Sequence, residues 1–145
     1  SIPSTEYSHL LNDKDTADFM FKCGDVEIPV HKKALEHNAK NLLMLAEEIL
    51  VRDSTVIGVE GVDADILMKF LEFCYSPNEF KKHKENYSVK LFQTAEKFKS
   101  LTLLNSCYRM MNCSLTTENI FQIIDIAHRL KYLILFRNCM GFIKM

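Results

Sequence analysis

The segment from Phe19 to Val30 constrains the fold most, because its apolar residues recur at every second position on both sides of a Gly24-Asp25 break. Such alternation predicts β-strands, and a two-residue loop with glycine first favours a type II′ hairpin turn. The resulting register predicts three apolar pairs on one face, which are Phe19 with Val30, Phe21 with Ile28, and Cys23 with Val26. The other face pairs Lys22 with Glu27, and opposite charges across strands contribute about 0.2–1 kcal/mol. Both faces therefore predict the same register.

Two polar residues flank the open end of this hairpin. Asp18 precedes the first strand and His31 follows the second, so the register places them opposite each other. We interpret Asp18 and His31 as a structural pair that fixes the hairpin end, because a catalytic pair also needs a nucleophile and an orienting third group. Cys23 is predicted on the apolar face, away from His31. Pro29 cannot donate to a ladder, which predicts that its strand lies at a sheet edge or ends there.

The rest of the chain predicts one more strand and a series of helices. Residues Ser54 to Val59 form a β-branched run that is typical of a short strand. Apolar residues at helical spacing, with capping residues before them, predict helices over 31–37, 42–50, 63–76, 89–98, from Ser100, from Thr116 and over 132–143. Residues 76–88 are charged and contain Pro and Asn, which predicts a surface loop. The order indicates an α+β fold, with a small three-stranded sheet, helices packed on it and a C-terminal helix pair.

A short helix is also predicted near the start, over Ser4 to Leu11. It would carry Tyr7, Leu10 and Leu11 on one side. Such an apolar stripe either mediates self-association or packs on its own domain, and the sequence leaves both open.

Composition excludes several classes of function. A chain of 145 residues is long enough for one domain with a hydrophobic core, and its formal net charge of -1 argues against a surface dedicated to nucleic acid. No apolar stretch approaches the ~20 residues of a membrane span, and the first residues do not resemble a secretory signal. The cysteines are odd in number and widely spaced, which is typical of reduced thiols in a protein of the cytoplasm or nucleus. They are Cys23, Cys74, Cys107, Cys113 and Cys139.

No motif for catalysis, metal binding or cofactor binding is evident. The chain has four glycines and no HExxH, CxxC or glycine-rich phosphate loop. Cys107 and Cys113 lack the matching pair of ligands that a zinc site requires. We therefore expect no enzyme activity, no metal and no cofactor.

Four short motifs follow one another in a characteristic order, namely Asp18, His31-Lys32, Phe73-Cys74-Tyr75-Ser76 and Ala95-Glu96-Lys97-Phe98. Their order and spacing resemble a BTB (POZ) domain, in which an Asp opens the first hairpin strand and a His-Lys pair opens the next helix. In that family a later helix ends in F-x-Y-[ST] and another carries A-x-K-[FY]. The segment CSLTTENIFQIIDIAHRL is similar to the start of the three-box or BACK extension of speckle-type POZ and BTB-kelch proteins. The resemblance implies a BTB/POZ domain over 1–113 and a three-box/BACK-like extension over 114–145.

This resemblance implies a protein-interaction module that forms homodimers and binds cullin-3, rather than an enzyme. The implied dimer seam uses Tyr7, Leu10, Leu11 and Ala34. The implied cullin-3 surface lies at the end of the helix over 42–50, in the loop after it and on later helices. Its candidate residues are Ile49, Val51, Arg52, Asp53, Tyr75 and Asn119.

One departure from the family pattern keeps a second function open. Cullin-binding members carry a hydrophobic-x-Glu motif in the loop after that helix, and the aligned residues here are Val51-Arg52-Asp53. Leu45-Ala46-Glu47 matches the motif but lies within the helix, whose apolar spacing assigns Leu45 to the core. The chain is thus expected to be a substrate adaptor of a cullin-3 ubiquitin ligase or a purely architectural self-association module of a transcription regulator or scaffold. Substrate or effector binding is expected from a region outside these residues.

Overall fold

The computed structural model describes residues 6–51 and 54–145. Within these ranges the chain forms a three-stranded sheet and eight α-helices. The strands are β1 (Phe19–Cys23), β2 (Val26–Val30) and β3 (Val56–Gly58). The helices are α1 (Lys32–Asn38), α2 (Lys40–Leu50), α3 (Ala64–Tyr75), α4 (Pro77–Lys81), α5 (Val89–Lys97), α6 (Leu101–Cys113), α7 (Ile120–Arg129) and α8 (Leu133–Lys144). Short 3₁₀ helices cover Ser8–Leu10 and Lys84–Asn86.

The hairpin forms in the predicted register. Strands β1 and β2 are antiparallel, with Phe19 opposite Val30, Phe21 opposite Ile28, Lys22 opposite Glu27 and Cys23 opposite Val26. Gly24 has a φ of 62° while Asp25 is not among the residues with positive φ, as a type II′ turn requires. The apolar face is not wholly buried, because Val26 beside the turn stays 47% exposed.

The strand order is β2-β1-β3, with β3 parallel to β1. A parallel partner needs a crossover connection, which α1 and α2 supply. In this order β2 lies at one edge of the sheet. Pro29 has no N–H to donate, and at an edge this interrupts no hydrogen bonding in the middle of the sheet. The predicted three-stranded sheet is confirmed.

Helix α3 is the centre of the core. Six of its residues are buried, namely Leu67, Phe70, Leu71, Phe73, Cys74 and Tyr75. Phe70 meets Phe98 edge-on with ring centroids 5.2 Å apart, and Phe73 meets Phe80 at 5.5 Å. Burying each large apolar side chain contributes about 1.5–3 kcal/mol. Helix α3 packs against α1, α4 and α5, so it joins α1 to the later helices.

The segment over 76–88 is not the predicted surface loop. It contains α4, whose first residue is Pro77, and the 3₁₀ turn that follows. Proline suits the first helical position because that N–H has no intrahelical partner. Phe80 is only 3% exposed, so one aromatic residue anchors an otherwise charged segment to the core.

The predicted helices over the rest of the chain are confirmed, but some of them are capped differently or begin at a different residue from the one predicted. Ser88 caps α5, because its Oγ accepts the N–H of Leu91 at 3.1 Å. Ser100 precedes α6 but donates its hydroxyl to the carbonyl of Asn38 at 2.6 Å instead of capping. Helix α7 begins after Asn119 rather than after Thr116. Leu101, in the first turn of α6, is 72% exposed.

Candidate interaction surfaces

The N-terminal stripe consists of Tyr7, Leu10 and Leu11. All three are half-buried and pack against the core, and the Tyr7 N–H donates to the carbonyl of Tyr75 at 2.6 Å. The predicted helix over 4–11 is a 3₁₀ turn at residues 8–10, and its first residues lie outside the described ranges. The stripe therefore packs on its own domain and still presents part of each side chain, while its role in a dimer stays a prediction.

Ala34 was expected at the dimer seam together with this stripe. It is 2% exposed and belongs to the core face of α1. A methyl group at that depth is covered by its own domain, so the side chain of Ala34 is not available to a second chain.

Asp18 and His31 both stabilise the hairpin end, but the direct pairing predicted between them is wrong. The Oδ2 atom of Asp18 accepts the backbone N–H of Lys32 at 2.8 Å, in the first turn of α1. This contact satisfies one of the helix donors that lack an intrahelical acceptor. Asp18 thus joins the hairpin to the helix start, and the His31 ring bonds elsewhere.

His31 lies in a buried polar network. Its Nδ1 atom and its backbone nitrogen are each 2.8 Å from the Tyr75 hydroxyl, and its Nε2 atom is 2.8 Å from Thr16 Oγ1. Because the hydroxyl of Tyr75 accepts the backbone N–H, its own proton is free to be donated to Nδ1. On the other side of the ring, Thr16 Oγ1 donates its proton to Asp13 Oδ2 at 2.8 Å, so a chain of polar contacts runs from Tyr75 through His31 and Thr16 to Asp13.

Tyr75 was a candidate residue of the cullin-3 surface. It is fully buried, with its ring edge-on to His31 at 5.7 Å between centroids, and burial raises the pKa of its phenol. The side chain is therefore an internal anchor between α3 and the hairpin end. It offers nothing to a partner at the surface.

The α2 outer face consists of Met44, Leu45, Glu47, Glu48, Ile49 and Val51, all exposed. Leu45 is 53% exposed, which contradicts its predicted core position. The buried side of α2 carries Leu42, Leu43 and Ala46 instead. The signal was available in the sequence, because four successive apolar residues over 42–45 span about 300° of a helix and cannot all face one side. Arg52 and Asp53 lie outside the described residues.

Asn119 holds the connection between α6 and α7. Its Oδ1 accepts the N–H of Thr116 at 2.8 Å, and its Nδ2 donates to the carbonyl of Ser114 at 2.9 Å. It borders a groove of about 690 Å³ between the 84–89 segment and these two helices, with Met110 and Met111 also in the lining. The amide of Asn119 is thus occupied by its own turn, and a role in cullin-3 binding stays a prediction.

Four of the five cysteines are buried. They are Cys23, Cys74, Cys107 and Cys139, whereas Cys113 is exposed at the end of α6. Burial raises the pKa of Cys107 to about 12 and also raises the pKa of Cys74 and Cys139. These three thiols stay protonated at neutral pH and are poor nucleophiles and metal ligands.

Over residues 6–51 and 54–145, no cluster of three or more His, Cys, Asp or Glu side chains is placed to hold a metal ion. Likewise, in this described part of the chain, no helix has the length and apolar character needed to cross a bilayer.

A model of the BTB/POZ domain family matches residues 7–115. The BTB domain of zebrafish PATZ1 superposes with a TM-score of 0.54 at 13% identity, over 74% of this chain and 86% of that chain. The BTB (Tramtrack and Bric a brac) domain of human gigaxonin gives a TM-score of 0.46 at 15% identity, over 70% and 80% of the two chains. A comparison with curated proteins gave no match.

The two kinds of match support different conclusions. At 13% identity the PATZ1 superposition shows similarity of fold alone, and it confirms the predicted α+β architecture. The predicted extension over 114–145 lies almost wholly beyond the matched residues and stays a prediction. The family match covers well over half of the chain and confirms the resemblance found in the motifs. The chain therefore belongs to the BTB/POZ domain family.

Proposed function

We propose that this chain is a homodimerising BTB domain that acts as a substrate adaptor of a cullin-3 ubiquitin ligase. As a BTB domain it is a protein-protein interaction module, of a family whose members self-associate and bind other proteins. The cullin-3 role is supported by one observation, the clustering of exposed apolar residues on the α2 outer face. Their exposed fractions are 56% for Met44, 53% for Leu45, 36% for Ile49 and 84% for Val51. Clustered apolar side chains on a surface mark interaction sites.

The chemistry of this face resembles the hydrophobic-x-Glu pattern of cullin-binding relatives. Leu45 and Glu47 are both exposed, while Ala46 between them is buried. Beside them lies a shallow groove of about 330 Å³ between α2 and β3, lined by apolar residues such as Ile49 and Ile57. Leu45 thus offers an apolar anchor, Glu47 a carboxylate and the groove a place for a partner's apolar side chain.

Charging the apolar part of this face should strongly weaken cullin-3 binding. In the double variant Leu45→Asp/Val51→Asp, two carboxylates would have to be desolvated against the partner. Truncating a central contact typically costs about 2 kcal/mol or more, so we expect binding to weaken by at least about thirtyfold. Calorimetric titration with the cullin-3 N-terminal domain measures this change.

Val26→Asp is the control for that titration, because Val26 is also exposed but lies on β2, at the edge of the sheet opposite β3 and α2. It should bind as the unaltered chain does. The adaptor proposal fails if the unaltered chain shows no binding in the titration. The assignment to the α2 outer face fails if Leu45→Asp/Val51→Asp binds normally.

The dimer is assigned to the N-terminal stripe. Leu10→Asp places a charge in an apolar seam without removing the backbone bond between Tyr7 and Tyr75. We expect light scattering to give a dimer for the unaltered chain at micromolar concentration and a monomer for this variant. A variant that remains dimeric would show that the seam lies elsewhere.

The second candidate function is an architectural self-association module without cullin-3 binding. It is favoured by the aspartate in Val51-Arg52-Asp53, at the position where cullin-binding relatives carry glutamate. A stable dimer that gives no heat with the cullin-3 N-terminal domain would support this function.

A further inference from the structure

The α8 outer face combines apolar and basic side chains. Leu133 and Ile134 are 76% and 66% exposed. Arg137 follows Leu133 by four positions, Lys144 follows Arg137 by seven, and both are exposed. These spacings place Leu133, Arg137 and Lys144 on one side of the helix. We call the four residues the α8 outer face.

The charge around this face has one sign. From Ile126 to Met145 the chain carries four Lys and Arg residues and no Asp or Glu. Arg129 is bound to Glu96 of α5 at 3.1 Å, whereas Arg137 and Lys144 are exposed and form no ion pair with another described residue. A partner of opposite charge is therefore favoured.

A groove adjoins the α8 outer face. It encloses about 610 Å³ between α7 and α8, with Ala127, Leu133 and Phe136 as its apolar lining and basic residues, including Lys131, at its rim. A partner helix that lies along α8 can therefore insert an apolar side chain beside its charged contacts.

The α2 outer face has the complementary pattern on the same chain. Met44, Glu48 and Val51 share one side of α2 by their spacing, with Leu45 and Glu47 flanking them. Its charges are carboxylates where those of α8 are basic groups. At 1.5 Å per residue, the 11 residues of α2 and the 12 of α8 give lengths of about 16 and 18 Å, so the two faces match in extent.

We propose that the α2 outer face of one copy of this chain docks on the α8 outer face of a second copy. Glu47 and Glu48 then face Arg137 and Lys144, while the apolar side chains of α2 cover Leu133 and the groove. The contact joins two different surfaces, so it is heterologous and leaves one face of each copy free for the next. Copies therefore associate head to tail, beyond any symmetric dimer.

Docking of this kind occupies the surface assigned above to cullin-3. Where the proposed adaptor function holds, self-docking and cullin-3 binding exclude each other on the same α2. The docking itself does not depend on cullin-3, because both of its faces belong to this chain.

The contact can be tested by reversing the charges on each face in turn and measuring association by sedimentation velocity over a range of protein concentrations. The unaltered chain should form species larger than a dimer as concentration rises, and added salt should reduce them. Arg137→Glu/Lys144→Glu and Glu47→Lys/Glu48→Lys should each weaken association at least about tenfold, since each puts like charges across the contact. An equimolar mixture of these two variants should associate again, because opposite charges then meet at both faces.

Lys81→Glu/Lys84→Glu is the matched control, with the same change of charge on exposed residues near α4, and it should associate like the unaltered chain. Far-ultraviolet circular dichroism verifies that each variant is folded. The proposal is overturned if the unaltered chain never exceeds a dimer, if either variant associates normally, or if the mixture stays unassociated. The α8 variant should still bind the cullin-3 N-terminal domain. If the unaltered chain does not bind that domain, only the adaptor function is overturned, because the docking does not depend on cullin-3.

Discussion

Phe70→Ala is expected to lower the free energy of unfolding by about 3–5 kcal/mol. Phe70 has no exposed surface and meets Phe98 edge-on at 5.2 Å. It lies on α3, which contacts α1, α4 and α5, so the cavity left by the ring would open at the centre of the core. The loss combines the missing apolar transfer energy with the lost contacts of the cavity walls.

Chemical denaturation followed by circular dichroism measures this change. Phe121→Ala is the matched control, because the same atoms are removed from a ring that is 74% exposed, and its effect should stay within about 0.5 kcal/mol. Phe70→Leu keeps most of the volume and allows the comparison to be made if Phe70→Ala does not fold. Equal losses for Phe70→Ala and Phe121→Ala would contradict the assignment of Phe70 to the core.

Tyr75→Phe is expected to give the second largest loss in the free energy of unfolding, although it removes only one hydroxyl group. The Tyr75 hydroxyl accepts the backbone N–H of His31 and bonds its Nδ1 atom, both at 2.8 Å. His31 is only 3% exposed, so neither group would gain a solvent partner easily. A stranded buried polar group costs about 1–3 kcal/mol, and two such groups are stranded here.

Thermal and chemical unfolding of Tyr75→Phe should both show the loss. Tyr108→Phe is the control, since Tyr108 is half-buried against Tyr132 and its hydroxyl makes no hydrogen bond to another described residue. A loss below about 0.5 kcal/mol for Tyr75→Phe would mean that the network around His31 is supported by other groups.

The hairpin and the α+β order were predictable because they depend on local periodicity. Residues at every second position and a glycine in a two-residue loop leave few ways to close the chain from Phe19 to Val30. The same local logic placed α3, which begins after Asp63 and ends before Pro77. Recognition of the BTB/POZ pattern added the long-range arrangement, which periodicity does not contain.

The surfaces were harder to predict, because exposure depends on which neighbours cover a residue. Leu45 carries the same side chain as Leu42, yet one is exposed and the other buried, since α1 and β3 cover only one side of α2. Tyr75 and Ala34 show the opposite error, since both were expected at interfaces and both are covered by their own domain.

Polar pairing needs the assembled fold for a further reason. Asp18 and His31 are neighbours across the hairpin, and sequence spacing alone favours bonding them to each other. Packing brings Tyr75 from α3, 44 positions away in the chain, to the His31 ring, and the start of α1 brings the N–H of Lys32 to Asp18. Hydrogen bonds form between groups that meet in space. The amino-acid order therefore specified the elements and their family, while the packing of the helices on one another and on the hairpin selected the polar partners and the residues left at the surface.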